Sequence, residues 1–482
     1  MPNAPKILVV GGGISGLACA WRLRQLGLPV LLLERGSRFG GVIETVEQDG
    51  FRFDVGPQSF TNTPALSELI DELGLGGELL RADARAPRYI LRRGRLVPAP
   101  FSPPKLLTTP LLSARTKLRI LSEPFLRSYP PDEDESIAAF VRRKFGSDLL
   151  ANLVGPFVSG VWAGDPEKLS LASTFPAVRL LEEKHGSVIR GVMKQRRKSA
   201  GESSPKESGE RPSLCNFRGG ISALVAAISG KLGDAARTGA EITAIRSVAA
   251  EGSASFDVGY RAGGRSESAS FAALILATPA AETGGLLRGI GPSGPRFGEL
   301  LGKIEYAGVA QVSAGYRVDQ IGQRKAKNGL NGFGFLVPRS EWLHLLGTVW
   351  NSSLFPNRAP ERMASFTSFL GGMTDAEIVS RDPDEIAAVA HSELSSVLGI
   401  SGAPVAQRVS RWRRALPQYN IGHRELTSAL YPLCAATPGL FLAGNYFGGP
   451  AIGACVEYAN KVAKQAAEFL GSPAQPSANA DS

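Results

Sequence analysis

The apolar residues of this chain follow two rhythms that alternate along its length. Short unbroken runs of β-branched residues and leucine read as strands buried on both faces, and apolar residues recurring every three or four positions read as helices. Both appear within the first 33 residues: Ile7–Val10 is a buried run, Ile14 to Leu26 has helical spacing, and Pro29 to Leu33 is apolar again. Helical spacing returns at 64–75, 132–150, 222–232, 383–398 and 453–470. Strand patterns occupy 241–246, 256–261, 272–279, 309–317, 332–338, 346–350, 365–371 and 439–445, while 88–91 and 95–98 read as a hairpin turning at Arg93-Gly94. Strands of both kinds interleaved with helices predict an α/β chain. Its 482 residues suit about two to four domains.

Two stretches depart from these rhythms. From Pro100 to Ser128 the chain is proline-broken, apolar and basic, with Leu111, Leu118, Leu121 and Phe125 on one helical face and Arg115 and Arg119 on another. Such a face fits a surface helix packed on its own domain and also a helix lying on a membrane; both readings stay open. Residues 194–213 are polar, charged and poor in aromatics, so a flexible loop is expected there. The acids at 132–135 suit the positive end of a helix starting at that point.

The turn between the first strand and first helix carries the chemistry. It reads Gly11, Gly12, Gly13, Ile14, Ser15, Gly16, and Glu34 ends the second strand 18 positions past Gly16. In a dinucleotide site Gly11 permits the tight turn, Gly13 lets backbone approach a pyrophosphate, and Gly16 lets helix pack on strand. The helix N-terminus offers free N–H groups to phosphate, and Glu34 accepts from ribose hydroxyls. The plain alternative is a glycine-rich turn without a ligand, against which the strand before, the helix after and the acid at that distance all speak.

Composition narrows the classes. A 43% hydrophobic and 20% charged chain is globular. The net charge of +10 allows nucleic acid, an anionic membrane or anionic substrates, but no nucleic-acid signature accompanies the scattered basic clusters, so nucleic acid is not expected as a partner. Cys19, Cys215, Cys434 and Cys455 form no metal spacing, and His185, His344, His391 and His423 are dispersed. No metal site is expected, and reduced thiols suit a cytoplasmic setting. No run reaches the roughly 20 apolar residues a bilayer span needs, and the first strand leaves no room for a signal peptide.

The residues after the acid select the cofactor. Arg35-x-x-Arg38-x-Gly40-Gly41 continues from Glu34, and Asp54-Val55-Gly56-Pro57 comes soon after. In these residues the chain resembles the FAD-dependent superfamily of amine oxidases, phytoene desaturases and protoporphyrinogen oxidases. Internal stretches resemble the protoporphyrinogen oxidase family more closely: Arg88-Tyr89-Ile90, Phe157 to Pro166, Lys184 to Ser187, Phe217 to Gly220, Gly332 to Pro338, Gly347-Thr348, Phe355 to Arg358, Phe369 to Gly372 and Ala443 to Glu457. Pro450 departs from the family's usual valine and removes one backbone donor there.

The resemblance implies a discontinuous Rossmann-like FAD-binding domain of the p-hydroxybenzoate hydroxylase-like type, an α+β substrate domain and a helical, membrane-associating subdomain. Its boundaries would be 1–82, 216–294 and 425–472 for FAD, 83–99, 186–215 and 295–424 for substrate, and 100–185 for the helical part, with a tail at 473–482. Carried over by position, non-covalent FAD would be held by Gly11 to Gly16, Glu34, Arg35, Gly40, Gly41, Gly56, Pro57, Gln58, Ser59, Ile242, Trp412, Gly444, Ala451, Ile452 and Gly453. Trp412 also reads as a core aromatic. Arg88 would take a substrate propionate, and Phe333, Leu336, Val349 and Phe369 would form an apolar slot. By spacing alone those four are ordinary core positions, and Arg88 an exposed surface arginine.

The implied reaction is oxidation of protoporphyrinogen IX by dioxygen through FAD, in the cytoplasm, with the membrane surface and a second copy of the chain left open as partners. Rival readings are coproporphyrinogen III oxidation, an amine oxidase or carotenoid desaturase, and a non-enzymatic binder of the same architecture.

Overall fold

In a computed structural model of the chain, residues 6–126, 130–201, 213–250, 253–322 and 330–471 are described. Five parallel strands run in the order Ala236–Arg237, Val30–Leu33, Ile7–Val10, Ala273–Leu276 and Leu440–Leu442. Alternate side chains face opposite ways. Ile7, Val9, Val30, Leu32 and Ile275 pack with helices Ile14–Gln25 and Ile452–Phe469. Leu8, Val10, Leu31, Leu33 and Leu276 join Phe256, Val258 and Phe271 of a three-stranded antiparallel sheet. Strands from the start, middle and end of the sequence thus complete one sheet, the discontinuous arrangement expected.

A seven-stranded mixed sheet runs Ala406–Pro417, Tyr306–Arg317, Met363–Gly371, Leu345–Val349, Gly334–Leu336, Arg88–Arg92 and Arg95–Pro98. One face buries Ala310, Val312, Ala314, Phe366 and Leu370 against Ile386 and Leu394 of helix Pro383–Leu398. Strand register puts Arg88, Leu336, Val349, Phe369 and Gln311 on the opposite face. That face is turned toward the strand end at Asp54: Gln311 Nε2 donates to the Asp54 carbonyl at 2.6 Å, and Trp412 Nε1 to the Val55 carbonyl at 3.2 Å.

The helical part is held by buried ions. Glu182 is fully buried and pairs with Arg143 at 2.7 Å and Lys144 at 2.9 Å. Glu123, also buried, accepts from the Val188 N–H at 2.9 Å and so caps helix Val188–Gly201.

Several expectations change here. The acids at 132–135 do not open a helix, because the Ser136 hydroxyl accepts from Ala139 N–H and sets the start of Ile137–Lys144. Glu135 pairs with Arg143 instead, at 2.6 Å. Residues 194–201, expected as loop, continue Val188–Gly201; lysine, glutamine, arginine and alanine are good helix formers, so a polar composition does not exclude a helix. The remainder, 202–212, lies outside the described residues, as does the expected tail at 473–482. Among the described residues of 186–215 none joins the mixed sheet; Leu214–Phe217 pairs with Phe60–Thr61 and Leu79–Arg81.

The apolar face read over 100–128 is split. Leu111 is fully buried, whereas Leu118 is 68%, Leu121 51% and Phe125 82% exposed. Helix Ala114–Ser122 buries Thr116 and Ile120, and Arg119 pins it by donating to the carbonyls of Arg143 and Lys144 at 2.7 and 3.2 Å. Its leucines are left outward. Among the described residues no helix is long and apolar enough to cross a membrane.

Candidate active site

The first strand ends at Gly11, whose φ of +105° favours glycine and whose N–H donates to the Leu33 carbonyl at 2.9 Å. A Cβ on Gly16 would lie 1.9 Å from the Gly11 carbonyl oxygen, so helix and turn meet backbone to backbone. Glu34 lies at the strand tip as expected, its carboxylate accepting from Gly12 N–H at 2.6 Å and Gly36 N–H at 2.7 Å. Gly40 N–H donates to the Gly12 carbonyl at 2.8 Å, which brings the second glycine pair onto the first. Arg38, unassigned by sequence, holds that loop through the carbonyls of Phe39, Gly41 and Ile43 at 3.1, 2.8 and 3.0 Å.

These residues fit an FAD. Gly13 has φ −71°, which any residue adopts, and a Cβ there would meet no protein atom within 4 Å. Nothing in the protein itself demands glycine at this point, as expected where a pyrophosphate passes close to backbone. Helices Ile14–Gln25 and Ile452–Phe469 both start without a side-chain cap, leaving N–H donors and positive dipole ends for phosphate and for an electron-rich ring. Helices Ile14–Gln25 and Ile452–Phe469 pack against each other in one core, and Gly453 approaches Thr63 closely enough that a Cβ would come within 2.7 Å of it. Gly11 to Gly16, Glu34, Gly40, Gly41 and Ala451 to Gly453 are therefore brought together. Gly444, at the end of strand Leu440–Leu442, starts the short turn Asn445–Gly448. Ile242 lies two residues from Ala240, whose N–H donates to the Glu34 carbonyl at 2.8 Å. Arg35, next to Glu34, is exposed.

The segment Gly56 to Ser59 rests on a buried polar network that the sequence did not announce. Asp54 accepts from Thr45 Oγ1 at 2.6 Å, Asn216 Nδ2 at 2.8 Å and Ile221 N–H at 3.0 Å. Arg358 lies 3.6 Å from it, both side chains 1% exposed. Burial pulls the Arg358 guanidinium below its usual value, and Asp54 only partly restores it. Gln58 donates to the Gly56 carbonyl at 3.0 Å and accepts from Asn351 Nδ2 at 2.6 Å, two residues beyond Val349. None of Asp54, Arg358 and Asn351 carries a local sequence signal for this network.

On the mixed-sheet face, Arg88 and Val349 both register with Gly334, and Leu336 and Phe369 with Gly347. Phe333 and Val349 share one apolar cluster with Leu354 and Phe355. Phe369 packs in another with Val309 and Leu416. Leu336 lies against Gly160 of helix Gly155–Trp162, where a Cβ would come within 2.3 Å of its Cδ2. The four residues expected to form a slot fall into two groups: Phe333 and Val349 in the cluster near Arg88, and Leu336 and Phe369, which both register with Gly347. The Arg88 guanidinium carbon stands 5.1 Å from the Phe333 ring centre. Trp412 is half-buried, its indole N–H donating to the Val55 carbonyl at 3.2 Å beside Gly56 to Ser59.

Known proteins agree with this geometry. The family described as flavin containing amine oxidoreductase matches residues 14–468. Protoporphyrinogen oxidase 1 of Spinacia oleracea chloroplasts is 35% identical over 96% of this chain and 84% of its own length. Coproporphyrinogen III oxidase of Bacillus subtilis (strain 168) is 29% identical over 96% and 98% respectively. Among solved structures, cyclohexylamine oxidase from Brevibacterium oxydans superposes with a TM-score of 0.66 at 18% identity, over 97% of this chain and 100% of that one. A structure from Exiguobacterium sp. 255-15 reaches 0.79 at 23%, over 97% and 99%. With its glycine turn, acid and uncapped helix ends fitting the cofactor, this chain belongs to the flavin-containing amine oxidoreductases, in the protoporphyrinogen oxidase family, and is an FAD-dependent oxidoreductase.

Proposed function

We propose that this enzyme oxidises a porphyrinogen, protoporphyrinogen IX, to its porphyrin for haem synthesis. The observation that carries the reading is Arg88 at the rim of an apolar sheet face turned toward the flavin-side segment. A flexible, non-aromatic, greasy macrocycle with carboxylate arms needs that combination: a planar guanidinium for a propionate and an apolar floor for the ring. Bound FAD supplies two-electron acceptance at each turn, with dioxygen taking the electrons on to hydrogen peroxide, three turns per macrocycle. The chain's own residues anchor one propionate at Arg88 and hold the macrocycle between Phe333 with Val349 and Leu336 with Phe369. We assign no base to the histidines, which lie away from Arg88: His391 is on helix Pro383–Leu398 behind the opposite sheet face, the His344 backbone N–H donates to Glu393 of that helix, His423 bonds the Tyr446 carbonyl, and His185 ends helix Pro176–His185 in the helical part. The pyrrole proton then leaves to solvent.

Anaerobic mixing with protoporphyrinogen IX should bleach the flavin's yellow absorbance. The coproporphyrinogen III reading, favoured by the likeness to the Bacillus enzyme over nearly its whole length, predicts faster bleaching by that substrate. Bleaching by neither overturns both. Arg88→Ala should lower kcat/KM by about 10- to 100-fold, the worth of a charge-assisted hydrogen bond, without changing flavin content. Undiminished turnover would remove the anchoring role.

The outward Leu118, Leu121 and Phe125, with Arg115 exposed on the same helix, support a seat on an anionic lipid surface. Replacing Leu118 and Phe125 by glutamate should weaken co-sedimentation with phosphatidylglycerol vesicles more than about 10-fold; equal binding would sink the idea.

A further inference from the structure

Arg88 has a second aromatic neighbour. Its guanidinium carbon lies over the Phe101 ring, 5.5 Å from the centre, as well as over the Phe333 ring at 5.1 Å. The two phenylalanines come from different parts of the chain, and each is placed by backbone. Phe333 N–H donates to the Pro87 carbonyl at 2.8 Å, and Gly332 and Gly334 flank it with φ of +149° and +136°, backbone that favours glycine. On the other side the hairpin returns past the arginine: Ala99 N–H donates to the Arg88 carbonyl at 2.7 Å. Phe101 lies in the run Pro98-Ala99-Pro100-Phe101-Ser102-Pro103-Pro104, where four prolines fix φ and leave little freedom to lose on binding. The Phe101 ring is 44% exposed, a large apolar group retained at the surface beside the substrate cation.

We propose that Phe101 is a positioning residue for substrate carboxylate, acting through Arg88. Stacking on an aromatic face occupies the π surface of a guanidinium and leaves its in-plane N–H donors for a carboxylate fork. It also displaces water that would screen that pair. A flexible arginine is thereby held in one orientation before substrate arrives. The proposal rests on the reading that Arg88 takes a propionate.

The probes are protoporphyrin IX and its dimethyl ester, the same ring without charge on its arms. Affinity is read from porphyrin fluorescence in the FAD-loaded enzyme. Wild type should bind the acid at least about 10-fold more tightly than the ester. Phe101→Ala should lose about 3- to 30-fold in affinity for the acid, the span of a cation–π contact, and leave ester binding within twofold. KM for the porphyrinogen should rise while kcat and FAD content hold, and Phe101→Tyr should restore acid binding. If Phe101→Ala weakens acid and ester alike, the ring touches substrate directly and the proposal is wrong. If it changes neither, the stacking is idle and the proposal is equally wrong. A wild type that does not distinguish acid from ester would instead overturn the propionate role of Arg88, leaving the two failures separable.

Discussion

Asp54→Ala is expected to be among the most damaging single substitutions in this chain, costing about 3–5 kcal/mol, as when one partner of a buried ion pair is removed. Arg358 is 1% exposed and its Nε and Nη1 already lack hydrogen-bond partners. Without Asp54 the guanidinium would keep one hydrogen bond, to the Phe217 carbonyl at 3.0 Å, and the Phe355 ring 5.8 Å away. The same change strips partners from Thr45, Asn216 and the Ile221 N–H, which tie hairpin, strand and helix together next to Gly56 to Ser59, where Asn216 also donates to the Gln58 carbonyl at 2.9 Å. The thermal midpoint of the apoprotein should fall by many degrees and FAD should be lost on purification. A double variant, Asp54→Ala with Arg358→Met, separates charge from shape. Removing the stranded cation should recover part of the lost midpoint, since a buried pair replaced by apolar groups is often tolerated. A single variant as stable as wild type, or a double variant no better than the single, would contradict the argument.

The parts of this protein that sequence made legible are those fixed by local pattern. Ile7–Val10, Gly11 to Gly16 and Glu34 form a strand, a turn and an acid whose spacing is set by one βαβ unit, and each lies where the pattern put it. Strand alternation also disclosed the mixed sheet, since Phe366 and Leu370 point one way and Phe369 the other. The hidden parts depend on contacts between distant segments. Asp54 and Arg358 are 304 positions apart in the sequence, and neither spacing nor type shows that they meet. Helix Ala114–Ser122 stayed open between two readings for a related reason: amphipathic spacing says which residues share a face, not which face is turned inward. There a polar anchor, Arg119 on two backbone carbonyls, decided the orientation against the leucines. The polar stretch at 194–201 misled because composition alone does not separate a solvated helix from a loop.

Gly13→Ala is expected to abolish tight FAD binding while leaving the apoprotein nearly as stable as wild type. The contrast with Gly16→Ala makes the test sharp. At Gly16 the added methyl would sit 1.9 Å from the Gly11 carbonyl oxygen, so the turn must open and the apoprotein itself should lose stability. At Gly13 the backbone is already in a conformation alanine accepts, and the methyl would enter space that no protein atom fills within 4 Å. The apoprotein should therefore change by no more than about 1 kcal/mol, the cost of a poorer N-cap. If that space is where the pyrophosphate lies against the backbone, the methyl overpacks it and FAD affinity should fall by about 10- to 100-fold. Titration of apoprotein with FAD, followed by quenching of flavin fluorescence, measures the loss. Thermal melts of the same apoproteins measure the rest. An unchanged FAD affinity in Gly13→Ala would mean that the pyrophosphate does not approach the chain at Gly13. A melt that falls as far as that of Gly16→Ala would mean that the glycine serves the fold and not the ligand.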